Sequence, residues 1–385
     1  MNAINNIKVA IVGGGPGGLT LARLLQMNDA EVKVYDRDFN KDARVQGATL
    51  DLHEESGLLA LEKAGLMDAF KANYRPDADM LRIVDKDAHI LWDDADTPRE
   101  ETIRPEIDRG PLRKILLDSL QEETVVWDSN FISMSPQGDG WQLQFKNGTS
   151  AYADIVIGAD GANSKVRPYI TAIKPFFAGM TAIEGTVYDA EKASPQIYEL
   201  LNGGKIFAMG DSKSLVVSSK GDGSMAFYIG CNSTENWAKE SGIDFSDKSQ
   251  VLAWFKREFL GWDEIWQELL ENAAPQFIPR PQYCMPLDQT WEAQPNLTML
   301  GDAAHLMPPY AGEGVNMAML DAVELAECLL SGQFAYAKTA ISAYETQMRK
   351  RAAETAEQTL ESTEALHSPG AINYLINIIS GSQPE

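Results

Sequence analysis

Cysteine and histidine are both scarce in this chain of 385 residues. The cysteines are odd in number, far apart and form no C-x-x-C pair: Cys231, Cys284 and Cys328. This pattern excludes a disulfide framework and a paired-thiol redox motif, and it favours buried thiols in a reducing compartment. The histidines show no metal-ligand spacing: His53, His89, His305 and His367. The sequence therefore predicts no metal centre.

Basic residues are also few, since 33 Lys and Arg stand against 56 Asp and Glu and give a formal net charge of −23. Such a negative field repels phosphate backbones and anionic membrane surfaces. No apolar run approaches the length of a membrane span, and the N-terminus lacks a basic stretch followed by an apolar one. We therefore expect a cytoplasmic protein without nucleic-acid or membrane partners.

The remaining composition is that of a globular protein, with 44% hydrophobic and 23% charged residues. A chain of this length is long for one core, so we expect two lobes. We find no internal repeat and no low-complexity linker, and we expect a monomer.

A glycine-rich turn dominates the start of the chain. An apolar, β-branched run over residues 7–12 precedes it, and an amphipathic run over residues 19–25 follows. This order predicts strand, turn and helix, with a G-x-G-x-x-G pattern whose glycines allow a tight turn, a close pyrophosphate and close helix packing. The helix N-terminus then offers N–H groups and partial positive charge to phosphates. We assign nucleotide binding to the turn: Gly13, Gly15, Pro16, Gly17 and Gly18.

A second strand, over residues 31–35, ends at Asp36, and Arg37 follows. An acidic residue at this place can accept hydrogen bonds from the ribose hydroxyls of an adenine nucleotide. Strand, glycine turn, helix, strand and acid together form one βαβ unit, which is much stronger evidence than a glycine pattern alone.

Two later strands end in similar turns. The strand over residues 154–158 leads to Asp160 and Gly161, and the strand over residues 296–300 leads to Gly301 and Asp302. A carboxylate at the end of a strand, such as Asp302, can hold ligand hydroxyls by charge-assisted hydrogen bonds.

A proline- and glycine-rich loop follows, over residues 307–313, and a helix is expected from about Gly314 to Leu330. The N–H groups near Gly314 and Val315 can therefore stabilise negative charge on a bound ligand. Between residues 174 and 232 short strand-like runs predict an antiparallel sheet in a second lobe. Helices are expected near residues 339–367 and 371–379.

Together these motifs resemble the class A flavoprotein monooxygenases, the FAD-dependent aromatic hydroxylases. Several segments look like the TetX-type tetracycline monooxygenases: residues 42–44, 49–53, 112–113, 301–309 and 314–316. The resemblance implies an α/β fold of the glutathione reductase-like type, in which a Rossmann-like FAD-binding domain is joined to a second antiparallel or mixed β-sheet domain for substrate. It places the FAD-binding domain at residues 1–66, 100–172 and 283–335, the substrate domain at 67–99 and 173–282, and bridging helices at 336–385.

The resemblance also implies a set of FAD contacts. Asp36 and Arg37 would contact the adenosine part, and Asp160 and Gly161 would help the pyrophosphate and nicotinamide interactions. Arg113 would contact the ribityl–phosphate region and Asp302 the ribityl chain. Arg44 would be a flavin-side cation rather than a solvated loop charge, and Asp51 would orient Arg44 or its loop, although a plain surface carboxylate is about as common. His305 is more simply a packing residue than a catalytic one. The residues placed around the flavin ring are Arg44, Gly47, Pro308, Gly312, Gly314, Val315 and Asn316.

The activity implied is NAD(P)H-dependent monooxygenation. FAD is reduced by NADPH or NADH, dioxygen forms a flavin C4a-hydroperoxide, and one oxygen atom passes to a polycyclic phenol or enol. No conventional catalytic dyad is needed, because the cofactor is the reactive centre. Tetracycline hydroxylation at carbon 11a, and thus antibiotic inactivation, is one such reaction. The substrate-contacting Gln, Arg and His of TetX-type enzymes correspond to Glu184, Lys205 and Ala226 here, so another aromatic or polyketide substrate competes with tetracycline.

Other functions stay open at this point. FAD-dependent halogenases and reductases use the same scaffold, but a halogenase carries a W-x-W-x-I-P-type stretch that this sequence lacks. A non-catalytic flavin-binding protein would bind FAD without oxidising NADPH in the presence of phenols.

Overall fold

The computed structural model describes residues 4, 6–43, 48–76, 78–96 and 104–380. Its strands are β1 (Lys8–Val12), β2 (Glu31–Tyr35), β3 (Leu50–Asp51), β4 (Leu81–Asp85), β5 (Ile90–Asp93), β6 (Glu106–Ile107), β7 (Val125–Val126), β8 (Phe131–Gln137), β9 (Gly140–Phe145), β10 (Ser150–Ala153), β11 (Ile155–Gly158), β12 (Phe176–Val187), β13 (Lys205–Gly210), β14 (Lys213–Ser219), β15 (Met225–Asn232), β16 (Ile278–Cys284) and β17 (Leu297–Met299).

Its α-helices are α1 (Pro16–Gln26), α2 (Leu59–Lys63), α3 (Met67–Lys71), α4 (Arg109–Asp118), α5 (Ala190–Ala193), α6 (Pro195–Leu201), α7 (Trp237–Glu240), α8 (Lys248–Glu258), α9 (Gln267–Asn272), α10 (Asp302–His305), α11 (Gly314–Leu330), α12 (Ala337–Leu366) and α13 (Ala371–Ile379). One π-helical turn, Glu54–Leu58, precedes α2. Among the described residues, none of these helices combines the length and the hydropathy needed to span a bilayer.

The first lobe is built on a five-stranded sheet with the order β17-β11-β1-β2-β7. Its neighbouring strands are parallel. The short apolar runs of β1 and β11 are buried almost throughout, as expected for a parallel sheet covered on both faces. Helices α1 and α11 bury their apolar sides against this sheet and against each other, and they share one hydrophobic core with α4 and the first half of α12.

The second lobe is built on a seven-stranded sheet with the order β16-β12-β15-β14-β13-β4-β5. All its neighbouring pairs are antiparallel except β13 with β4, which is parallel, so the sheet is mixed. Helices α6, α8 and α9 cover one face with a core rich in aromatic residues. The opposite face, which we call the inner face, carries the alternate residues of each strand.

The C-terminal helices contact both lobes. Tyr344 of α12 is fully buried in the core of the first lobe, and its hydroxyl donates to the carbonyl of Met299. At the other end of this segment, Leu366 and Leu375 pack against Ile83 and Met209 of the second sheet. The fold class predicted from the sequence is therefore confirmed, including the bridging helices, whereas the exact domain bounds stay a prediction.

Candidate active site

The predicted nucleotide-binding turns meet at one edge of the first sheet. Strands β17, β11, β1 and β2 are consecutive neighbours and run in the same direction, so the turns that follow them share the carboxyl edge. Two contacts join the turns directly. A Cβ placed on Gly13 would lie 2.2 Å from the carbonyl oxygen of Ala159, and the guanidinium of Arg167 donates to the carbonyls of Ala162 and Asp302.

Most glycines of the first turn are required by the protein itself. A Cβ added at Gly18 would lie 2.2 Å from the carbonyl oxygen of Gly13, and one added at Gly17 would lie 2.6 Å from the carbonyl oxygen of Ala318. A Cβ added at Gly14 would lie 2.5 Å from Oδ2 of Asp36. Gly13 also has a φ of 115°, which L side chains rarely adopt. Gly15 differs, because a Cβ there would meet nothing within 4 Å. The groove in front of Gly15 is therefore open.

The first helix presents its N-terminus to this groove. Pro16 occupies the first helical turn, and no side chain in the described part of the chain caps the helix. The N–H groups of the first turn thus keep capacity for an anionic ligand.

Asp36 and Arg113 are both buried and engaged with neighbouring loops. The Oδ2 atom of Asp36 accepts from the N–H of Gly14 at 2.6 Å, and Oδ1 accepts from that of Asp38 at 2.8 Å. Arg113 donates to the carbonyl of Lys41 at 2.7 Å and forms an ion pair with Asp38 at 3.0 Å. Asp36 and Arg113 therefore join the glycine-rich turn and helix α4 to the loop that follows β2, while Arg37 is exposed.

The carboxylate of Asp160 is turned toward its own loop. It accepts from the hydroxyl of Ser164 at 2.6 Å and from the N–H of Lys165 at 2.7 Å. Gly161 has a φ of 79°, and a Cβ there would meet nothing within 4 Å. The Asp160 carboxylate is therefore engaged within its own loop, whereas the space beside Gly161 is open.

Asp302 has a different environment. No described residue donates a hydrogen bond to its carboxylate, and its Oδ1 lies 4.0 Å from the place of a Cβ on Gly314. Burial raises the pKa of Asp302, and the positive charges of His305, Arg109 and Arg167 oppose this rise. A partly buried carboxylate beside the N-terminus of α11 therefore keeps hydrogen-bonding capacity for ligand hydroxyls.

Asp321 of α11 holds the turn that carries Asp302 in place. The Oδ2 atom of Asp321 accepts from the N–H of Gly301 at 2.8 Å and lies 2.5 Å from Nε2 of His305, while Oδ1 lies 2.5 Å from Nη2 of Arg351. Asp321 is fully buried and His305 nearly so. His305 therefore sits in a buried ion-pair network, and this geometry gives it packing and hydrogen-bonding contacts.

The loop before α11 closes another side of the groove. Pro308 is buried, and Gly312 is left-handed with a φ of 71°. Helix α11 begins with Gly314 and Val315 and has no side-chain cap. The side chain of Asn316 is occupied within the protein, because it accepts from the N–H of His53 and donates to the carbonyls of Asp51 and Gly312. Asn316 thus joins this loop to the segment around β3.

Asp51 forms part of a charged cluster with His53. Its Oδ2 atom lies 3.0 Å from Nε2 of His53, whose Nδ1 lies 3.3 Å from Oε1 of Glu313. Burial alone would lower the pKa of His53, but the two carboxylates raise it to about 9. Burial would raise the pKa of Asp51, yet His53 and the charge of Lys205 hold it below its usual value. Arg44 and Gly47 lie outside the described residues, so the predicted contact between Asp51 and Arg44 stays a prediction.

The predicted substrate residues share one face of the second sheet. Strand pairing places Thr186, Ala226, Ser218 and Lys205 in one row, and Glu184, Tyr228, Val216 and Phe207 in the next. Residues directly opposite in neighbouring strands point to the same side. Glu184, Lys205 and Ala226 therefore all belong to the inner face.

Contacts show that the inner face points toward the first lobe. Lys205 forms an ion pair with Glu106 of β6, and the hydroxyl of Tyr228 accepts from the N–H of Ala48 at 3.3 Å. Glu184 pairs with Arg280 of β16 at 2.5 Å. Ala226 is buried, and its methyl group can make van der Waals contacts but no hydrogen bond. The inner face and the groove therefore line the same space between the two lobes.

Sequence patterns did not identify several groups of this region. Glu313, Tyr228 and Arg109 were missed, and the sequence assigned no role to His53. Arg109 donates to the carbonyl of Ala48 at 3.0 Å, and its positive charge lowers the pKa of Asp302. Each of these contacts joins distant parts of the chain, so no local sequence pattern predicts it.

The described residues fit an adenine dinucleotide carrying a flavin. They provide an open groove at Gly15, two uncapped helix N-termini and the Asp302 carboxylate. The groove and the N-terminus of α1 match a pyrophosphate, the N-terminus of α11 matches a reduced ring system with negative charge, and the Asp302 carboxylate matches a polyhydroxyl chain.

Comparisons with known proteins agree with this fit. The sequence profile described as FAD binding domain matches residues 6–359. The monooxygenase asqM of Emericella nidulans is 29% identical over 374 residues, covering 84% of each chain. The 3-amino-4-hydroxybenzoate 2-monooxygenase PtmB3 of Streptomyces platensis is 27% identical, covering 95% of this chain and 90% of its own. The crystal structure of tetracycline destructase Tet(55) is 18% identical, covers 99% of this chain and 96% of its own, and superposes with a TM-score of 0.77, which shows the shared fold.

Proposed function

This chain belongs to the FAD binding domain family and is an FAD-dependent monooxygenase, and we propose that it hydroxylates a polycyclic phenol or enol with electrons from NADPH or NADH. The bound flavin supplies dioxygen activation and transfer of one oxygen atom. The protein supplies position, exclusion of water and electrostatic support.

The groups that would hold FAD lie along the groove, and each would contact a different part of the cofactor. The turn from Gly13 to Gly18 and the N-terminus of α1 would receive the pyrophosphate. The Asp36 region would receive the adenosine, and Asp302 the ribityl hydroxyls. The N–H groups at the start of α11 would face the pyrimidine edge of the ring, where they favour the anionic reduced form.

The substrate class is inferred from one observation, which is the set of side chains on the inner face. The inner face carries the polar side chains of Glu184, Tyr228 and Lys205 beside apolar ones such as Val216 and Phe207, and it faces the first lobe. A planar ring system with hydroxyl groups would satisfy both the apolar surface and these polar groups. PtmB3, whose name specifies a hydroxylated benzoate, supports a phenolic substrate.

Tetracycline hydroxylation at carbon 11a is the most specific reaction within this proposal. It is supported by the motif resemblance, and Tet(55) shares the fold. The inner face of this chain carries Glu184, Lys205 and Ala226 at the aligned substrate positions. Glu184 introduces a charge and Ala226 offers no hydrogen bond, so a different polycyclic phenol or enol fits the proposal equally well.

The test is a screen with purified, FAD-loaded protein. Tetracyclines, anthracyclines and simpler polycyclic phenols are each incubated with NADPH or NADH under ¹⁸O₂, and products are analysed by mass spectrometry. We expect a product that gains one ¹⁸O atom and NAD(P)H oxidation that depends on the substrate. A yellow protein that oxidises neither NADPH nor NADH with any compound would instead be a non-catalytic flavin-binding protein. Gel filtration of the same preparation tests the expected monomer.

A further inference from the structure

A histidine contacts the residue at which helix α11 begins. Nδ1 of His53, which lies shortly after β3, is 3.3 Å from Oε1 of Glu313, and Glu313 is the N-cap residue of the helix. Nε2 of the same ring is 3.0 Å from Oδ2 of Asp51. The ring of His53 therefore lies beside the helix end whose N–H groups are proposed to face the pyrimidine edge of FAD.

Hydrogen bonds to the main chain hold this ring in place relative to α11. The N–H of His53 donates to Oδ1 of Asn316 at 3.0 Å, and the side-chain amide of Asn316 donates to the carbonyls of Asp51 and Gly312 at 2.9 and 3.3 Å. A Cβ added at Gly57 would lie 2.5 Å from Oδ1 of Asn316, so the segments are also closely packed. The distance between His53 and the N-terminus of α11 is therefore fixed by the fold.

His53 carries the positive charge of this cluster. Its side chain is 3% exposed, whereas the two carboxylates that contact it are about one quarter exposed. The other charged groups that face the cluster are Arg104, which lies 4.0 Å from Oδ2 of Asp51, and Lys205 of β13, whose charge acts on Asp51. Burial and the charge of Arg104 would lower the pKa of His53, but the contacts with Asp51 and Glu313 raise it to about 9. At neutral pH the cluster is therefore an imidazolium between two carboxylates.

The charge of this cluster matters for a flavin because reduction changes the charge of the ring. Uptake of two electrons and one proton converts neutral oxidised flavin to the anionic reduced form. A fixed positive charge nearby binds the reduced form more tightly than the oxidised form, and a fixed negative charge does the opposite. The ratio of these two affinities sets the reduction potential, so a tenfold change in the ratio shifts a two-electron potential by about 30 mV.

We propose that His53 raises the reduction potential of bound FAD by offsetting the negative charges of Asp51 and Glu313 beside the N-terminus of α11. This inference rests on the placement of FAD given under the proposed function. Both ring nitrogens of His53 contact carboxylates of the protein, so His53 acts through them and is a positioning residue. A higher potential makes the transfer of two electrons from NADPH or NADH to the flavin more favourable.

The test compares two variants that break the same contact from opposite sides. The reduction potential of FAD-loaded protein is measured at pH 7 by spectroscopic titration against a reference dye, with xanthine and xanthine oxidase as the source of electrons. His53→Gln leaves two carboxylates without their cation, so we expect the ratio of affinities for reduced and oxidised FAD to fall about tenfold, which lowers the potential by about 30 mV. Glu313→Gln removes one negative charge while Asp51 keeps His53 protonated, so we expect a shift of similar size to higher potential.

The opposite signs separate an effect of charge from an effect of structure. Both variants lose the contact between His53 and Glu313, so a loosened loop would shift both potentials in the same direction. The double variant His53→Gln/Glu313→Gln should return close to the wild-type potential, because the two changes of charge cancel. The controls are His89→Gln on the β4–β5 hairpin and Glu292→Gln, both at exposed ion pairs, and neither should shift the potential.

The pH dependence of the potential gives a second readout. A flavin that takes up one proton with two electrons loses about 30 mV of potential for each pH unit, because each unit is a tenfold change in proton concentration. Reduction places a negative charge near His53 and so raises the pKa of the imidazolium further. Near pH 9 the wild-type protein should therefore take up an additional fraction of a proton on reduction, and its potential should fall more steeply with pH. His53→Gln should show no such steeper region.

The outcomes that would overturn this inference are specific. Equal potentials in the wild type and both single variants, or shifts of the two variants in the same direction, would mean that the charge of His53 does not act on the flavin. FAD content and the thermal midpoint show whether each variant folds. If His53→Gln holds no FAD, Glu313→Gln decides the matter, because an unchanged or lower potential in that variant contradicts the proposal.

Failure of the proposed function would look different. The potentials are measured without any substrate, so a protein that hydroxylates no compound in the screen leaves the role of His53 testable. Conversely, unshifted potentials leave the proposed hydroxylation intact. A wild-type protein that takes up no FAD would overturn the placement of the cofactor in the groove, and this inference with it.

Discussion

Glu313 and His53 are in contact across 260 residues of sequence, with Oε1 of Glu313 lying 3.3 Å from Nδ1 of His53. The contact joins the segment after β3 to the loop that precedes α11. Because Asp51 binds the other ring nitrogen, the imidazolium lies between two carboxylates. This arrangement fixes the loop whose N–H groups are proposed to face the flavin ring.

The first prediction concerns His53→Gln, which removes the positive charge from this contact. His53 binds its proton more tightly in the folded chain, since its pKa is about 9, than in the unfolded chain, where it is near 6.5. Its contribution to stability is therefore complete below about pH 6.5 and is lost as the pH rises through about 9. We expect the variant to lose about 2 kcal/mol at pH 6 and little at pH 10.

Urea unfolding at several pH values measures this difference. His89→Gln is the matched control, because His89 is exposed. A difference between wild type and His53→Gln that stays constant from pH 6 to 10 would show that the imidazolium is not what the carboxylates stabilise.

A second prediction contrasts two aspartates in ion pairs. Asp321→Asn removes the negative charge from a fully buried network and leaves His305 and Arg351 without their shared partner. Breaking a buried pair costs about 3–5 kcal/mol. Asp118→Asn removes an exposed partner of Lys114 and should cost less than about 1 kcal/mol. Chemical unfolding of both apoproteins measures the contrast, and similar losses in the two variants would contradict it.

The third prediction tests Asp302 as the ribityl contact. Asp302→Ala should weaken FAD binding by about 10- to 100-fold, because a charge-assisted hydrogen bond is worth about 1.5–3 kcal/mol. Fluorescence titration of the apoprotein with FAD measures the affinity, and Asp87→Asn on the exposed hairpin is the control. Full FAD occupancy in Asp302→Ala would mean that the ribityl chain is held elsewhere.

Much of the first lobe could be predicted from sequence because its signals are local. The glycine turn, the adjoining buried strand and the amphipathic helix lie within about 20 residues, and each pattern has one structural solution. Helix α13 was likewise predicted with its observed bounds, since a dense apolar run stands between Gly370 and a polar end.

Elements with conflicting local signals were missed. Strand β16 contains Pro279 and Pro281, which argue against a strand, but among the described residues β16 is the edge of its sheet and pairs only with β12. Proline is tolerated at such an edge because one side of the strand needs no hydrogen-bonding partner. The contacts of His53 with Glu313 and of Tyr310 with His367 could not be predicted, since they depend on how the two lobes and the C-terminal helices pack.

The fourth prediction separates structure from substrate recognition on the inner face. Lys205→Met leaves Glu106, which is 1% exposed, without its cation, so we expect a loss of stability and partial recovery in Lys205→Met/Glu106→Gln. Glu184→Gln leaves Arg280, which is half exposed, so stability should change little while the KM for the hydroxylated substrate changes. Thermal unfolding and steady-state kinetics measure the two effects. An unchanged KM across the substrates found in the screen would remove Glu184 from the recognition surface.

The last prediction uses two glycines of the same turn. At Gly15 an added Cβ would meet nothing within 4 Å, whereas at Gly18 it would lie 2.2 Å from the carbonyl oxygen of Gly13. Gly15→Ala should therefore leave the stability of the apoprotein unchanged, or raise it by up to about 1 kcal/mol through the unfolded state. It should nevertheless weaken FAD binding, because the methyl group enters the groove proposed for the pyrophosphate.

In Gly18→Ala we expect the apoprotein to lose stability, whereas in Gly15→Ala the main loss is in FAD affinity. The methyl group would push α1 away from β1, so the apoprotein itself should lose stability, by about 1–3 kcal/mol as for other overpacked sites. Urea unfolding without FAD and fluorescence titration with FAD distinguish the two variants. If Gly15→Ala bound FAD as tightly as the wild type, the proposed position of the pyrophosphate against this turn would be wrong, because the methyl group would project into the open space beside Gly15.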